Sequence, residues 1–184
     1  MLQVAVATLA TQGVSGFTTR NIAERAQTST PAVYELFGDK AGLVREIFFE
    51  GFRTLRRRLD RLPTTRDPQQ DLESVIQAFR MFVRSNPMLA QVMFSRPFAD
   101  FDPGAAELKA GDAVRQLIVE RVQRCIDAGV IRGDATDIAH VVVALARGLA
   151  ATELAGWLGG SKASVDRRWQ LAIRAVLDGL RPTL

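Results

Sequence analysis

The sequence predicts an all-α protein of about nine helices, and three observations carry that prediction. Apolar residues recur at three- and four-residue spacing along most of the 184-residue chain. No run alternates apolar and polar residues strictly enough to read as a strand. Capping residues and Gly or Pro breaks divide the periodic runs into helix-sized pieces.

The first helix is expected over residues 2 to 11, with Leu2, Val6 and Leu9 on one face and Gly13 ending it. The second starts near Thr18 or Thr19 and turns Ile22, Ala23 and Ala26 inward. The third begins after Ser29 and carries Pro31 in its first turn, where a missing N–H costs nothing; Gly38 closes it. Asp39 caps a longer fourth helix, whose apolar face is Leu43, Ile47, Phe48, Phe52, Leu55 and Leu59.

A loop bounded by Pro63 and Pro68 leads to a fifth helix over residues 68 to 85, which Asn86-Pro87 breaks. A short sixth helix covers residues 88 to 94, and the loop-like segment SRPFADFDPG separates it from a seventh over 104 to 128. The corner AGVIRGDATD turns the chain into an eighth helix, apolar on almost every side from residue 138 to 149, which predicts burial all round. In the ninth, Trp169, Ala172, Ile173, Val176, Leu177 and Leu180 form one unbroken stripe. Two domains are expected, residues 1–45 and 46–184.

Composition narrows the classes of function. A 47% hydrophobic chain buries a sizeable core, and a net charge of +4 permits an anionic partner without demanding one. Cys125 is the single cysteine, which excludes a disulfide framework and points to a reducing compartment. The start, MLQVAVATLATQG, lacks the basic leader of a signal peptide. Residues 138 to 158 are long enough to cross a bilayer, but His140, Arg147 and Glu153 are each costly at that depth, so the segment reads as part of a soluble, cytoplasmic protein. His140 is expected to be a hydrogen-bonded core residue and Cys125 a small buried hydrophobe. No nucleophile elbow, carboxylate–histidine set or phosphate-binding glycine loop appears, so neither an enzyme nor a cofactor or metal is expected.

Residues 18 to 40 carry the functional signal. A helix-turn-helix needs a small residue where its helices cross, a tight polar corner, and a second helix with one free face. Ala23 supplies the crossing position, and Gln27-Thr28-Ser29 the corner. Val33 and Phe37, four apart, anchor the third helix and leave Thr30, Ala32, Tyr34 and Glu35 pointing elsewhere.

The series Gly13, Thr18-Thr19, Ile22-Ala23, Ser29, Val33-Tyr34, Phe37, Lys40 and Leu43 resembles the N-terminal signature of TetR-family regulators, over about residues 2 to 50. The resemblance implies a DNA-binding transcriptional regulator that acts as a homodimer, on the nucleoid, with repression the usual sign. It implies phosphate contacts from Thr18, Thr19, the Tyr34 hydroxyl and Lys40, with Arg20 and Ser29 beside them. Thr28, Thr30, Pro31 and Ala32 would lie in or near the major groove. The chemistry agrees, because helix N-termini and short hydroxyls bind phosphate well and the methyls of Thr30 and Ala32 suit thymine methyl groups.

Three departures from the family pattern are informative. Gln27 stands where the family commonly has glycine and Thr28 where it commonly has an apolar residue. The turn is then either less tight or carries Gln27 in left-handed backbone at some cost. Glu35 puts a negative charge on the recognition helix, where it either accepts from a cytosine amino group or points away. The chain starts at its first helix without a basic arm, so either the start lies upstream or arm contacts in the minor groove are absent. Residues 1 to 50 hold four basic side chains (Arg20, Arg25, Lys40, Arg45) against five acidic ones (Glu24, Glu35, Asp39, Glu46, Glu50), a weak electrostatic footprint that makes two subunits necessary. Arg56-Arg57-Arg58 reads as a solvated helix face.

In the eighth helix, the small residues Ala144, Gly148, Ala151 and Ala155 let a partner helix approach, so the eighth and ninth helices are the expected homodimer surface, as a four-helix bundle. Phe79, Phe82, Met93, Phe94, Phe98, Phe101 and Trp157 are candidates to line a pocket for a small apolar effector, with Arg84 and Arg96 available to orient an anionic group. The effector would release a pseudo-palindromic operator. The alternative is an all-helical ligand-binding or scaffold dimer without DNA binding.

Overall fold

The computed structural model describes residues 1–95, 98 and 101–182, and over these residues the chain is all-α, with nine helices. They are α1 (Leu2–Gly16), α2 (Thr19–Arg25), α3 (Thr30–Phe37), α4 (Lys40–Asp60), α5 (Pro68–Ser85), α6 (Pro87–Ser95), α7 (Ala105–Asp127), α8 (Ala135–Leu154) and α9 (Lys162–Gly179). Their backbone divides into two compact units. The first holds residues Met1–Leu55 and Asn86–Gly111, the second Arg56–Ser85 and Asp112–Leu184.

In the first unit, α1 packs on α2 and α6, and α2 on α3. The regular part of α1 stops where expected, because Gly13 adopts φ 65° and ψ −166° and kinks the chain. Ala5, Leu9, Phe17, Ile22, Val33, Leu43, Val44, Ile47 and Phe48 form the core, each at most 5% exposed. Fully removing the Val, Leu, Ile and Phe side chains of this set from water is worth about 1.5–3 kcal/mol each, which a seven-residue helix such as α2 needs, since it is too short to persist alone. Glu107, in the first turn of α7, is also buried here. It accepts from the Gly104 N–H at 3.0 Å and pairs with Arg45 at 2.5 Å. Burial alone would raise this carboxyl, but the backbone and Arg45 hydrogen bonds hold it below the usual range.

The second unit is held by α5 on α8 and α8 on α9. Trp169, Phe82, Leu72, Leu59 and Ile131 are among its fully buried side chains. Cys125 is buried too, and burial pushes its thiol up to about 11. Asp71, 3% exposed, ties the 62–67 loop to α7. Its carboxylate accepts from the Thr65 N–H and hydroxyl and pairs with Arg124 at 2.5 Å, while Arg124 also donates to the Thr65 carbonyl. Burial works against its charge, yet the Arg124 and Thr65 hydrogen bonds win and lower its pKa to about 2.

Two expectations for α8 need correction. It is not buried all round in the single chain: Ala135, Ile138, Ala139, Val142, Ala146 and Ala150 face inward, whereas Val141 and Leu154 are about half exposed. An apolar face records that water is to be kept away from it, without specifying whose atoms do so. His140 is accordingly exposed, with its Nδ1 2.8 Å from the Thr136 carbonyl oxygen, and is not a core residue.

Candidate nucleic-acid interface

Helices α2, α3 and α4 each start on a side-chain cap that the sequence supplies. The Thr18 hydroxyl accepts from the Asn21 N–H at 3.2 Å and the Ser29 hydroxyl from the Ala32 N–H at 3.3 Å. The Asp39 carboxylate accepts from the Gly42 N–H at 2.7 Å. A capping hydroxyl uses its oxygen and keeps its hydrogen, so Thr18 and Ser29 can still donate outward to phosphate.

The corner between α2 and α3 is a Schellman turn, with Thr28 N–H donating to the Ala23 carbonyl at 2.9 Å and Gln27 N–H to Glu24 at 3.1 Å. That pair of bonds requires a left-handed residue in the middle, and Gln27 has φ 53°. Of the two possibilities, the tight turn with strained Gln27 is the one adopted. Asn21 ties the start of α2 to the end of α1, donating to the Gly16 carbonyl at 2.7 Å and to Gln12.

Only Val33 of α3 is fully buried, and Phe37 is partly so. On its outer face Pro31 and Glu35 are exposed, flanked by Thr30 and Tyr34 on one side and Ala32 and Leu36 on the other. Tyr34 is 49% exposed, and its hydroxyl accepts from the Thr19 hydroxyl at 3.3 Å. Thr19 at the start of α2 and Tyr34 on α3 thus meet at one point. Arg20 and Lys40 are exposed, Thr28 half-buried. The last corner, FGDKAG, is closed by Gly42: a Cβ there would collide with the Phe37 carbonyl oxygen.

Residues 72–176, more than half of the chain, match the family model "Tetracyclin repressor-like, C-terminal domain", and residues 1–47 match "Bacterial regulatory proteins, tetR family". The chain belongs to the TetR family. Its fold is shared by a protein of unknown function from Rhodococcus sp. RHA1, at 28% identity and TM-score 0.85 over 98% of this chain and 93% of that one. The TetR-family regulator PfmR from Thermus thermophilus is similar at 17% identity and TM-score 0.76, over 98% of both chains. The ketosteroid transcriptional regulator KstR2 of Mycobacterium tuberculosis is similar at 18% identity and TM-score 0.70, over 99% of this chain and 93% of that one. No curated protein matches the sequence. As a TetR-family member the chain is a transcriptional regulator with a DNA-binding helix-turn-helix head, a class generally without enzymatic activity.

The remaining candidates of this TetR-family chain fall into separate places. Met93, Phe94, Phe98 and Phe101 belong to the first unit, where Phe101 and Phe48 rings lie 5.7 Å apart and Phe94 and Phe52 6.2 Å apart. Phe98 and Phe101 also border a cleft of about 230 Å³ together with Asp39, Lys40, Ala41 and Val44. Phe79 and Phe82 lie on α5 in the second unit, and Trp157 there is 85% exposed. Arg96 lies outside the described residues. Ala144, Gly148, Ala151 and Ala155 are all exposed, as is Leu171 of α9 at 62%.

Sequence reasoning passed over Arg80, a cation buried at 6% exposure. It forks onto Glu153 of α8 at 2.7 and 2.9 Å, reaches Asp166 of α9 at 2.8 Å and stacks on Trp169 at 5.1 Å. The Trp169 indole N–H completes the set, donating to Glu153 at 2.7 Å. Burial opposes both charges of the pair; mutual hydrogen bonding nonetheless holds the Glu153 carboxyl low and the Arg80 guanidinium high. Leu36, 63% exposed on α3, was also missed. A large apolar side chain at an exposed position of α3 was the available signal.

Proposed function

We propose that this TetR-family regulator binds a pseudo-palindromic operator as a homodimer, usually to repress, and that a small apolar effector releases it. The observation that carries the reading is the pairing of exposed Tyr34 and Thr19 hydroxyls beside the free face of α3. Thr18, Thr19, Arg20, Ser29, Tyr34 and Lys40 would hold phosphates, while Thr28, Thr30, Pro31, Ala32 and Glu35 would meet base edges in the major groove. Dimerisation through α8 and α9 is supported by the exposed apolar side chains Val141, Leu154, Trp157 and Leu171 and by the exposed small residues Ala144, Gly148 and Ala151 of α8.

The effector would act from the C-terminal domain by changing the separation of the two heads, which must sit about one helical turn of DNA apart. Its apolar character rests on the aromatic candidates Phe79 and Phe82 of α5, because likeness to the ketosteroid regulator extends to the fold alone.

The test uses duplex DNA from upstream of the chain's own coding sequence. Wild type should bind with a steep salt dependence. Lys40→Ala should flatten that dependence by about 1 per subunit, and Tyr34→Phe should weaken binding by about 0.5–1.5 kcal/mol per subunit without changing the slope, since a neutral hydroxyl displaces no counterion. Unchanged binding in both variants would remove these assignments. It would favour instead a helical ligand-binding dimer, the reading that Glu35 and the near-neutral head support.

A further inference from the structure

We infer that Phe98 is a positioning residue for DNA binding, which holds the Lys40 ammonium where a phosphate is to be met. The inference rests on the phosphate role of Lys40 proposed above. Lys40 is the first residue of α4 and exposed, and its Nζ stands 5.4 Å from the centroid of the Phe98 ring. An ammonium on an aromatic face is attracted by the ring quadrupole and keeps its remaining N–H bonds free to donate outward. A lysine stem otherwise samples many rotamers, and ordering it on binding costs affinity. The adjoining cleft of about 230 Å³ gives the stem room to fold away if the ring is absent.

The ring itself is fixed. Phe98 is 6% exposed and lies 5.1 Å from the ring of Phe17, which is fully buried. Phe17 immediately precedes Thr18, the cap of α2. One aromatic side chain from the segment between α6 and α7 therefore touches the lysine at the start of α4 and abuts the residue beside the proposed phosphate threonines of α2. Asp39, the residue before Lys40, is committed to capping α4 by accepting from the Gly42 N–H.

The experiment measures affinity and salt slope on a duplex recovered from random sequence by the wild-type protein. Phe98→Leu should weaken binding about five- to thirtyfold over the two sites of a dimer, with a flatter slope. Phe98→Tyr should retain wild-type behaviour. In the Lys40→Ala background, Phe98→Leu should have no further effect. An additive loss with an unchanged slope would contradict the inference, because it would mark Phe98 as a packing residue only. If Lys40→Ala alone leaves affinity and slope unchanged, the phosphate reading fails and this inference with it. A measurement on the free wild-type protein is independent of how variants fold: ring current should move the Lys40 ε-methylene protons upfield, assigned by comparison with Lys40→Arg. Protons at their random-coil position would overturn the proposal.

Discussion

Gln27 shows what a single residue costs and fixes. The Schellman bonds of the α2–α3 corner hold it at φ 53°, a conformation that disfavours a side chain with a Cβ. Gln27→Gly should therefore stabilise the protein by about 0.5–1 kcal/mol, after the extra entropy of glycine in the unfolded chain is set against the relief of strain. Thermal unfolding checks this, with a melting temperature raised by about 1–4 °C for a chain of this size. Asp71 gives a second prediction at this scale. Its carboxyl is lowered to about 2, so its contribution to stability is complete above the ordinary carboxylate range, near pH 4, and disappears as pH falls through about 2. Asp71→Asn should remove that part of the acid dependence and lower stability at neutral pH, as read from denaturant midpoints at both pH values. At this scale the sequence was legible where a residue's partner is its own backbone neighbour, as for Ser29, Asp39 and Gly13. Asp71 was not legible, because its ion-pair partner Arg124 is 53 residues away.

Among the elements, α2 and α3 were readable because caps, an inward Ile22-Ala23 pair and a Val33–Phe37 spacing leave few alternatives. The packing of α5, α8 and α9 was not. Arg80 sits on the apolar side of α5, where a periodicity argument expects a hydrophobe, and its partner Glu153 lies 73 residues on. Removing one side of such a buried pair leaves the other uncompensated, so Arg80→Leu or Glu153→Gln should cost about 3–5 kcal/mol. Chemical denaturation measures the loss, and a change under about 1 kcal/mol would show that the network carries little. Gly42→Ala tests the α3–α4 corner. In an open helix this change stabilises; here the new Cβ meets the Phe37 carbonyl, so α4 must shift, and stability should fall by about 1–3 kcal/mol. The fold of α8 was legible in its extent and misread in its surroundings, because an apolar composition does not distinguish a buried face from an exposed one.

The whole molecule is a TetR-family regulator whose proposed action needs two copies. On that proposal, the head's small charge would leave a single subunit a weak DNA binder, and the apolar residues exposed on α8 and α9 would join two. Leu171→Glu, which puts a charge in that face, should yield a monomer by light scattering and reduce DNA affinity by orders of magnitude; a stable dimer would place the interface elsewhere. The central claim, that two α3 helices read one operator together, is met most directly by selecting bound duplexes from a random pool with the wild-type protein. The expected result is an enriched pseudo-palindrome whose half-site centres lie about 10 base pairs apart, or a multiple of that, with enrichment lost in Tyr34→Phe combined with Lys40→Ala. Recovery of a single unrepeated half-site, or no enrichment at any salt concentration, would contradict it.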